Sequence, residues 1–233
     1  MAAAPAWTGG NSVAALASLN TVVGAVFLLL TFLLMVSRQI QSVLRAFVGQ
    51  SLLLVLSTLL LAILHHSAEL AVVALITVAA KVIIIPGVLT RTLGQELRAR
   101  REIESAVNVP VSLLLMLGLT VLAFFLAAPL LGPHTARAAV NLPLGLAALL
   151  IGVYTLAIRR EAVAQVLSIM AIDNGVFYAG VAITTSSAIV EAAAGLEGVM
   201  VVLVVAILTR TIAQRLGSTE VSSLQELREG VPR

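Results

Sequence analysis

ELAVVALITVAAKVIIIPGVLTRT, residues 69–92, is an apolar run with a single lysine near its middle. A helix needs about 20 apolar residues to cross a bilayer, and this run supplies them. Lys81 lies about twelve residues from the Glu69 end, roughly 18 Å at about 1.5 Å per residue, which is the depth of a bilayer midplane. A charge at that depth costs about 2.5–3.5 kcal/mol on insertion scales, so it is rare and usually tied to function. Pro86 follows five residues on. It has no N–H and clashes with the carbonyl four residues back, at Val82, which predicts a kink beside Lys81.

Moving outward from this run, the whole chain has the same character. Of its 233 residues, 60% are hydrophobic and 11% charged, against about 45–50% and about 25% in a soluble globule. The fold class is therefore all-α and polytopic in the membrane. Seven stretches are long enough to span: 13–36, 43–64, 69–90, 110–131, 141–158, 162–185 and 188–209. The organisation that follows is an N-terminal segment (1–12), a first three-helix unit (13–92), a charged loop (93–109), a linker helix (110–131), a second three-helix unit (141–216) and a polar tail (217–233). The stretch Met1–Gly10 has no Lys or Arg. A cleaved signal needs that positive region, so the first span reads as retained.

Charge gives the orientation. Of the 14 Lys and Arg residues, Lys81 is inside a span and Arg137 falls in a loop on one side. The other 12, from Arg38 and Arg45 to Arg228 and Arg233, fall on the opposite side. Positive residues collect in the cytoplasm, which predicts an outer N-terminus and a cytoplasmic C-terminus. The basic balance thus reports topology and not nucleic-acid binding. With no Cys, disulfides and thiolate-held clusters are excluded. His65, His66 and His134 lie at helix ends or in loops without a second ligand at helical spacing. Gly-rich phosphate loops, His-Glu-x-x-His and Gly-x-Ser-x-Gly are all missing, so the chain alone is not expected to catalyse a covalent reaction.

Three acids share the setting of Lys81. Asp173 is central in the sixth span, beside Asn174 and Gly175. Asn174 can hydrogen-bond the carboxyl or hold a water, and Gly175 permits close helix approach. Glu197 is near the middle of the seventh span between Gly195 and Gly198, and Glu191 lies nearer its outer end. At about 100° per residue, Glu191 and Glu197 point about 120° apart and form no dyad. Each reads as a station in a proton or ion path. Against that, Lys81 also reads as a structural partner of a carboxylate on a neighbouring helix, Asp173 as a protonated acid making a helix–helix hydrogen bond, and Glu191 as a wetted helix-end residue. Glu69 reads as a helix N-terminal acid favoured by the dipole.

A faint repeat runs through the chain. Each three-helix unit has an Arg turn, at Arg38 and at Arg159–Arg160, and closes on Leu-Thr-Arg-Thr, at Leu89–Thr92 and Leu208–Thr211. The offsets are 121 and 119 residues. One helix separates the units, so both run in the same direction, as a parallel repeat with its axis along the membrane normal. Gln50 and Ser51 take the place of Ile172 and Asp173 in the first unit.

These residues resemble a known family. Arg159-Arg160, Met170-Ala171-Ile172-Asp173-Asn174-Gly175, Glu191, Glu197 and Val221-Ser222-Ser223-Leu224-Gln225-Glu226-Leu227 look like hydrogenase-4 component E. Gln50-Ser51-Leu52 and Ala80-Lys81-Val82 with Pro86 extend the likeness to residues 20–228. The second half is also similar to the K subunit of complex I and the C subunit of Mrp-type antiporters. Asp173 matches the first membrane glutamate of the K subunit, with a shorter acid, and Glu197 is similar to the second with about one turn of displacement. The resemblance implies a non-catalytic membrane subunit of a group 4 [NiFe]-hydrogenase or formate hydrogenlyase-like assembly in a prokaryotic inner membrane. Its relay would be Lys81, Asp173, Glu197 and Glu191, supported by Asn174, Gln50 and Ser51. No cofactor is expected in this chain, and NiFe and Fe–S centres would belong to partner subunits. Antiporter-like membrane subunits and the lipid bilayer are the partners implied.

Overall fold

The computed structural model describes residues 7–92, 107–131, 141–183 and Val204. Among these the chain is helical throughout, with single bridge residues at Gln39 and Arg159 and no strand. The helices are α1 (Trp7–Val36), α2 (Ile40–His65), α3 (Ala68–Thr77), a π segment (Val78–Ile84), α4 (Ile85–Thr92), α5 (Val109–Ala127), α6 (Leu142–Ile158) and α7 (Ala162–Ile183). Five apolar helical stretches, Val13–Val36, Ile40–His65, Ala68–Arg91, Val109–Leu130 and Val163–Ala182, are long enough to cross a membrane. The fifth predicted span is α6, a shorter helix of 17 residues, about 25 Å long. The seventh, 188–209, falls outside the described residues apart from Val204, as do most of the charged loop and the tail.

Local sequence sets the ends. His66 closes α2 in the left-handed region (φ 51°), and its N–H reaches the carbonyls of Ala62 and Ile63. Such a cap satisfies carbonyls that would otherwise be orphaned. Ser67 then caps α3 by accepting from the Leu70 N–H at 3.3 Å, with Glu69 in the first turn, where the helix dipole favours an acid. Pro110 and Pro143 sit at the starts of α5 and α6, where a missing N–H breaks nothing. Pro129 ends α5, so the fourth predicted span (110–131) finishes in a short 3-10 turn, Ala128–Leu130.

The packing is that of a membrane protein. Large apolar side chains face outward: Leu75, Leu114, Val121 and Phe125 are each about 70% exposed or more. The interior holds Asn20, Thr31, Gln50, Ser51, Lys81, Asp173 and Asn174, all buried. A solvent that is itself apolar takes the leucines, and the polar groups turn inward to satisfy one another. The bundle is membrane-embedded.

Helices α6 and α7 make the closest crossing. A methyl group on Gly145 would overlap the Ala179 backbone, and one on Gly175 would lie 2.5 Å from the Leu149 nitrogen. Gly152 meets Ile172 in the same way. Small residues let two backbones approach where lipid supplies no hydrophobic drive. Helix α1 lies beside α6, and α2 beside α7. Each pair runs in one direction. Asn141 at the start of α6 meets Asn20 near the middle of α1, and Arg159 at the end of α6 meets Leu34–Ser37 at the end of α1.

Candidate functional site: a buried ion pair and its polar surround

The site begins with a backbone irregularity. Between α3 and α4 the helix widens into the π segment, and the Ile85 N–H reaches the Ala80 carbonyl five residues back. The next donor in that register, aimed at the Lys81 carbonyl, is Pro86, which has no N–H. The expected break beside Lys81 therefore takes the form of a π segment centred on it, and the proline falls opposite Lys81 instead of Val82. π segments are uncommon and recur at functional sites.

Lys81 projects from this segment to α7. Its Nζ lies 2.6 Å from Asp173 Oδ2, and both side chains are 2% exposed. It also lies 5.4 Å from the centroid of the Phe177 ring. Asp173 and Phe177 are four residues apart, so they share one face of α7 and receive the ammonium together. The other carboxylate oxygen, Oδ1, is buried without a hydrogen-bond partner among the described residues.

Asn174 does not bond Asp173. It points about 100° further round α7 and donates to Gln50 Oε1 (3.1 Å) and Ser51 Oγ (3.3 Å) on α2. Gln50 Nε2 then donates to Thr31 Oγ1 on α1 at 2.9 Å, and Thr31 donates to the Phe27 carbonyl at 3.0 Å. All of these side chains are 0–1% exposed. The row ties α7 to α2 and α1. An amide does not pass protons as a hydroxyl or carboxyl does, so the row reads as a tie between helices, distinct from the ion pair.

A second cluster lies towards the Asn141 end of α6. Ser57 Oγ donates to Asn20 Oδ1 at 2.6 Å, and Asn141 Nδ2 donates to the Asn20 carbonyl and Tyr178 Oη, each at 3.0 Å. Tyr178 stacks on Phe27, with centroids 4.4 Å apart and planes 12° from parallel. Gly24 makes room, since a methyl there would lie 2.8 Å from the Tyr178 hydroxyl. At the opposite end the core is apolar: Leu34, Val43, Phe47, Leu167 and Met170 pack with Ile85, Leu89 and Val204.

Arg159 is the charged residue whose setting the sequence concealed. It is 3% exposed and donates from Nη2 to the carbonyls of Leu34 (3.2 Å), Met35 (2.6 Å) and Ser37 (3.0 Å). It caps α1, where free carbonyls and the negative end of the dipole favour a cation. Burial pushes its pKa down, and Glu161 opposes the shift. A guanidinium stays charged regardless.

The structure thus brings together Lys81 with Asp173, and Asn174 with Gln50 and Ser51. Glu191 and Glu197 lie outside the described residues. Thr31, Phe177 and the Asn20–Tyr178 cluster were not picked out from sequence. Asn20 and Thr31 carried a signal, being polar residues in a span, and Phe177 could have been found as the residue one turn beyond Asp173.

Fold and site define a helical membrane protein with an acid–base pair sealed inside. The chain is similar to the uncharacterized protein Rv0085 of Mycobacterium tuberculosis, at 28% identity over 193 residues, covering 82% of this chain and 88% of that protein. No family model matches the chain, and no solved structure matches it.

Proposed function

We propose that this chain is a non-catalytic membrane subunit of a redox-driven, complex I-like assembly of the group 4 [NiFe]-hydrogenase or formate hydrogenlyase kind. The Lys81–Asp173 pair is one station of its proton or ion relay. The observation that carries this reading is the pair itself, 2.6 Å apart and 2% exposed, on a π segment. A buried acid and base tune one another, so a charge arriving at either shifts the other. Glu197 and Glu191 are the next stations. The redox centres belong to partner subunits, and antiporter-like subunits lie alongside in a prokaryotic inner membrane.

The finer architecture belongs to the same proposal: seven spans, an outer N-terminus and a parallel repeat. The hydrogen bonds between the two halves support the repeat. Among the described residues they join positions 121–125 apart, close to the sequence offsets of 121 and 119. Two copies facing each other across an axis put equivalent positions in contact.

The second reading is a latch that only fixes α3 to α7, and the same pair favours it. A double variant separates the two. Replacing a buried pair by apolar residues is often neutral for stability, whereas removing one partner strands a charge. Asp173→Asn and Lys81→Met should lower ion transport coupled to the redox reaction at least about tenfold while the peripheral redox activity persists. Lys81→Met/Asp173→Leu should assemble as well as the native chain and still fail to couple. Normal coupling in the double variant would leave only the latch. A purified chain that transports ions alone would point to a free-standing transporter.

A further inference from the structure

A cleft of about 350 Å³ opens between α2 and α4, lined by Gln41, Leu44, Arg45, Val48, Pro86 and Thr90. We infer that it is a binding site for an anionic phospholipid, with the phosphate on Arg45 and Gln41 and the acyl chain against Leu44, Val48 and Pro86. This inference is independent of the relay.

Position is the first argument. Arg45 is five residues into α2 from Ile40, about 8 Å along the axis. A helix of 26 residues is about 39 Å long and overhangs a hydrocarbon core about 30 Å thick, so that position falls near the boundary between headgroups and acyl chains. Arg45 is exposed and, among the described residues, has no hydrogen bond or ion pair. An arginine facing lipid needs an anion, and its planar fork grips phosphate with two parallel bonds.

The walls are the second argument. Gln41 and Arg45 are four residues apart and share one face of α2, giving the cleft a polar rim. The α4 wall donates nothing. Pro86 has no N–H, and the Thr90 hydroxyl is turned back onto the carbonyls of Pro86 (2.8 Å) and Gly87 (3.1 Å). One cationic edge above carbon walls matches a phospholipid, and a free phosphate would leave those walls uncovered.

Native mass spectrometry of the full chain tests this, in mild detergent with equal phosphatidylglycerol and phosphatidylcholine. The native chain should retain phosphatidylglycerol roughly fivefold over phosphatidylcholine, the effect of one basic residue at an anionic surface. Arg45→Gln should bring the ratio close to one. Arg45→Lys should keep part of it. Arg38→Gln, an exposed arginine outside the cleft, should leave it unchanged. A native chain without preference overturns the proposal whatever the variants do. So does an equal loss in Arg38→Gln, which would mean diffuse attraction. A shift from dimer to monomer in Arg45→Gln with lipid retention unchanged would mean that a second copy fills the cleft, and would overturn it too.

Discussion

Asp173 and Asn174 are adjacent in sequence yet serve different neighbours. A helix turns about 100° per residue, which aims the acid at Lys81 on the π segment and the amide at Gln50 and Ser51 on α2. Charge and structure are thereby separated: one residue holds the ion pair, the next holds the helix that carries it. Hydrogen bonds between membrane helices average about 0.6 kcal/mol in double-mutant cycles, because lipid-exposed states also find partners. Asn174→Ala removes two of them and should cost about 1 kcal/mol, read as a lower melting temperature in detergent. The larger penalty of about 1–3 kcal/mol for a stranded buried acceptor applies only if Gln50 cannot turn to a new donor. Unchanged melting would show that the amide row does not hold α2 to α7. The identity of Asp173 and Lys81 as buried charges was legible from sequence, since any charge in an apolar span stands out. The partner of Asn174 was not, because the direction of a side chain depends on how two helices are rotated against each other.

At the scale of elements, span length is written in the chain and helix geometry is not. Apolar runs of about 20 residues give the helices, but the run 110–131 passes through Pro129, where the α-helix gives way to a 3-10 turn. The π segment was hidden: Pro86 announces a disturbance, but no local rule chooses a wide turn over a kink. Arg159 was hidden for a similar reason. It lies in a turn and counts as a loop charge, yet its guanidinium folds inward to end α1. The α6–α7 crossing was half legible, since Gly175 suggested close approach without naming Gly145 and Leu149 as what it approaches. Gly175→Ala sets a methyl 2.5 Å from the Leu149 nitrogen and 2.9 Å from the Gly145 carbonyl oxygen. These are backbone atoms and cannot rotate away, so the helices must separate. Overpacking of this kind costs about 1–3 kcal/mol. The melting temperature should fall, and Gly180→Ala, where a methyl meets nothing within 4 Å, should not lower it. Equal effects at both positions would remove close packing as the cause and leave helix propensity.

At the scale of the whole molecule, the described residues are arranged asymmetrically along the bundle. Among the described residues a polar cluster of Tyr178, Ser57, Asn20 and Asn141 lies on the Asn141 side, while the core on the Arg159 side is apolar. Which compartment each end faces decides what the proposed relay at Lys81 would communicate with. In the proposed orientation the Arg38 and Arg159 turns face the cytoplasm and the His65–His66 turn faces outside. The chain has no cysteine, so single cysteines report on sidedness without removing others. Arg38 and His65 are both exposed and lie at opposite ends of α2. In intact cells stripped of any outer membrane, His65→Cys should react with a membrane-impermeant maleimide, and Arg38→Cys should react only after the membrane is opened. The reverse pattern would invert the orientation and turn the polar end to the cytoplasm. Labelling of both in sealed cells would mean that α2 does not cross the membrane, which would remove the midplane position from which the argument for Lys81 starts.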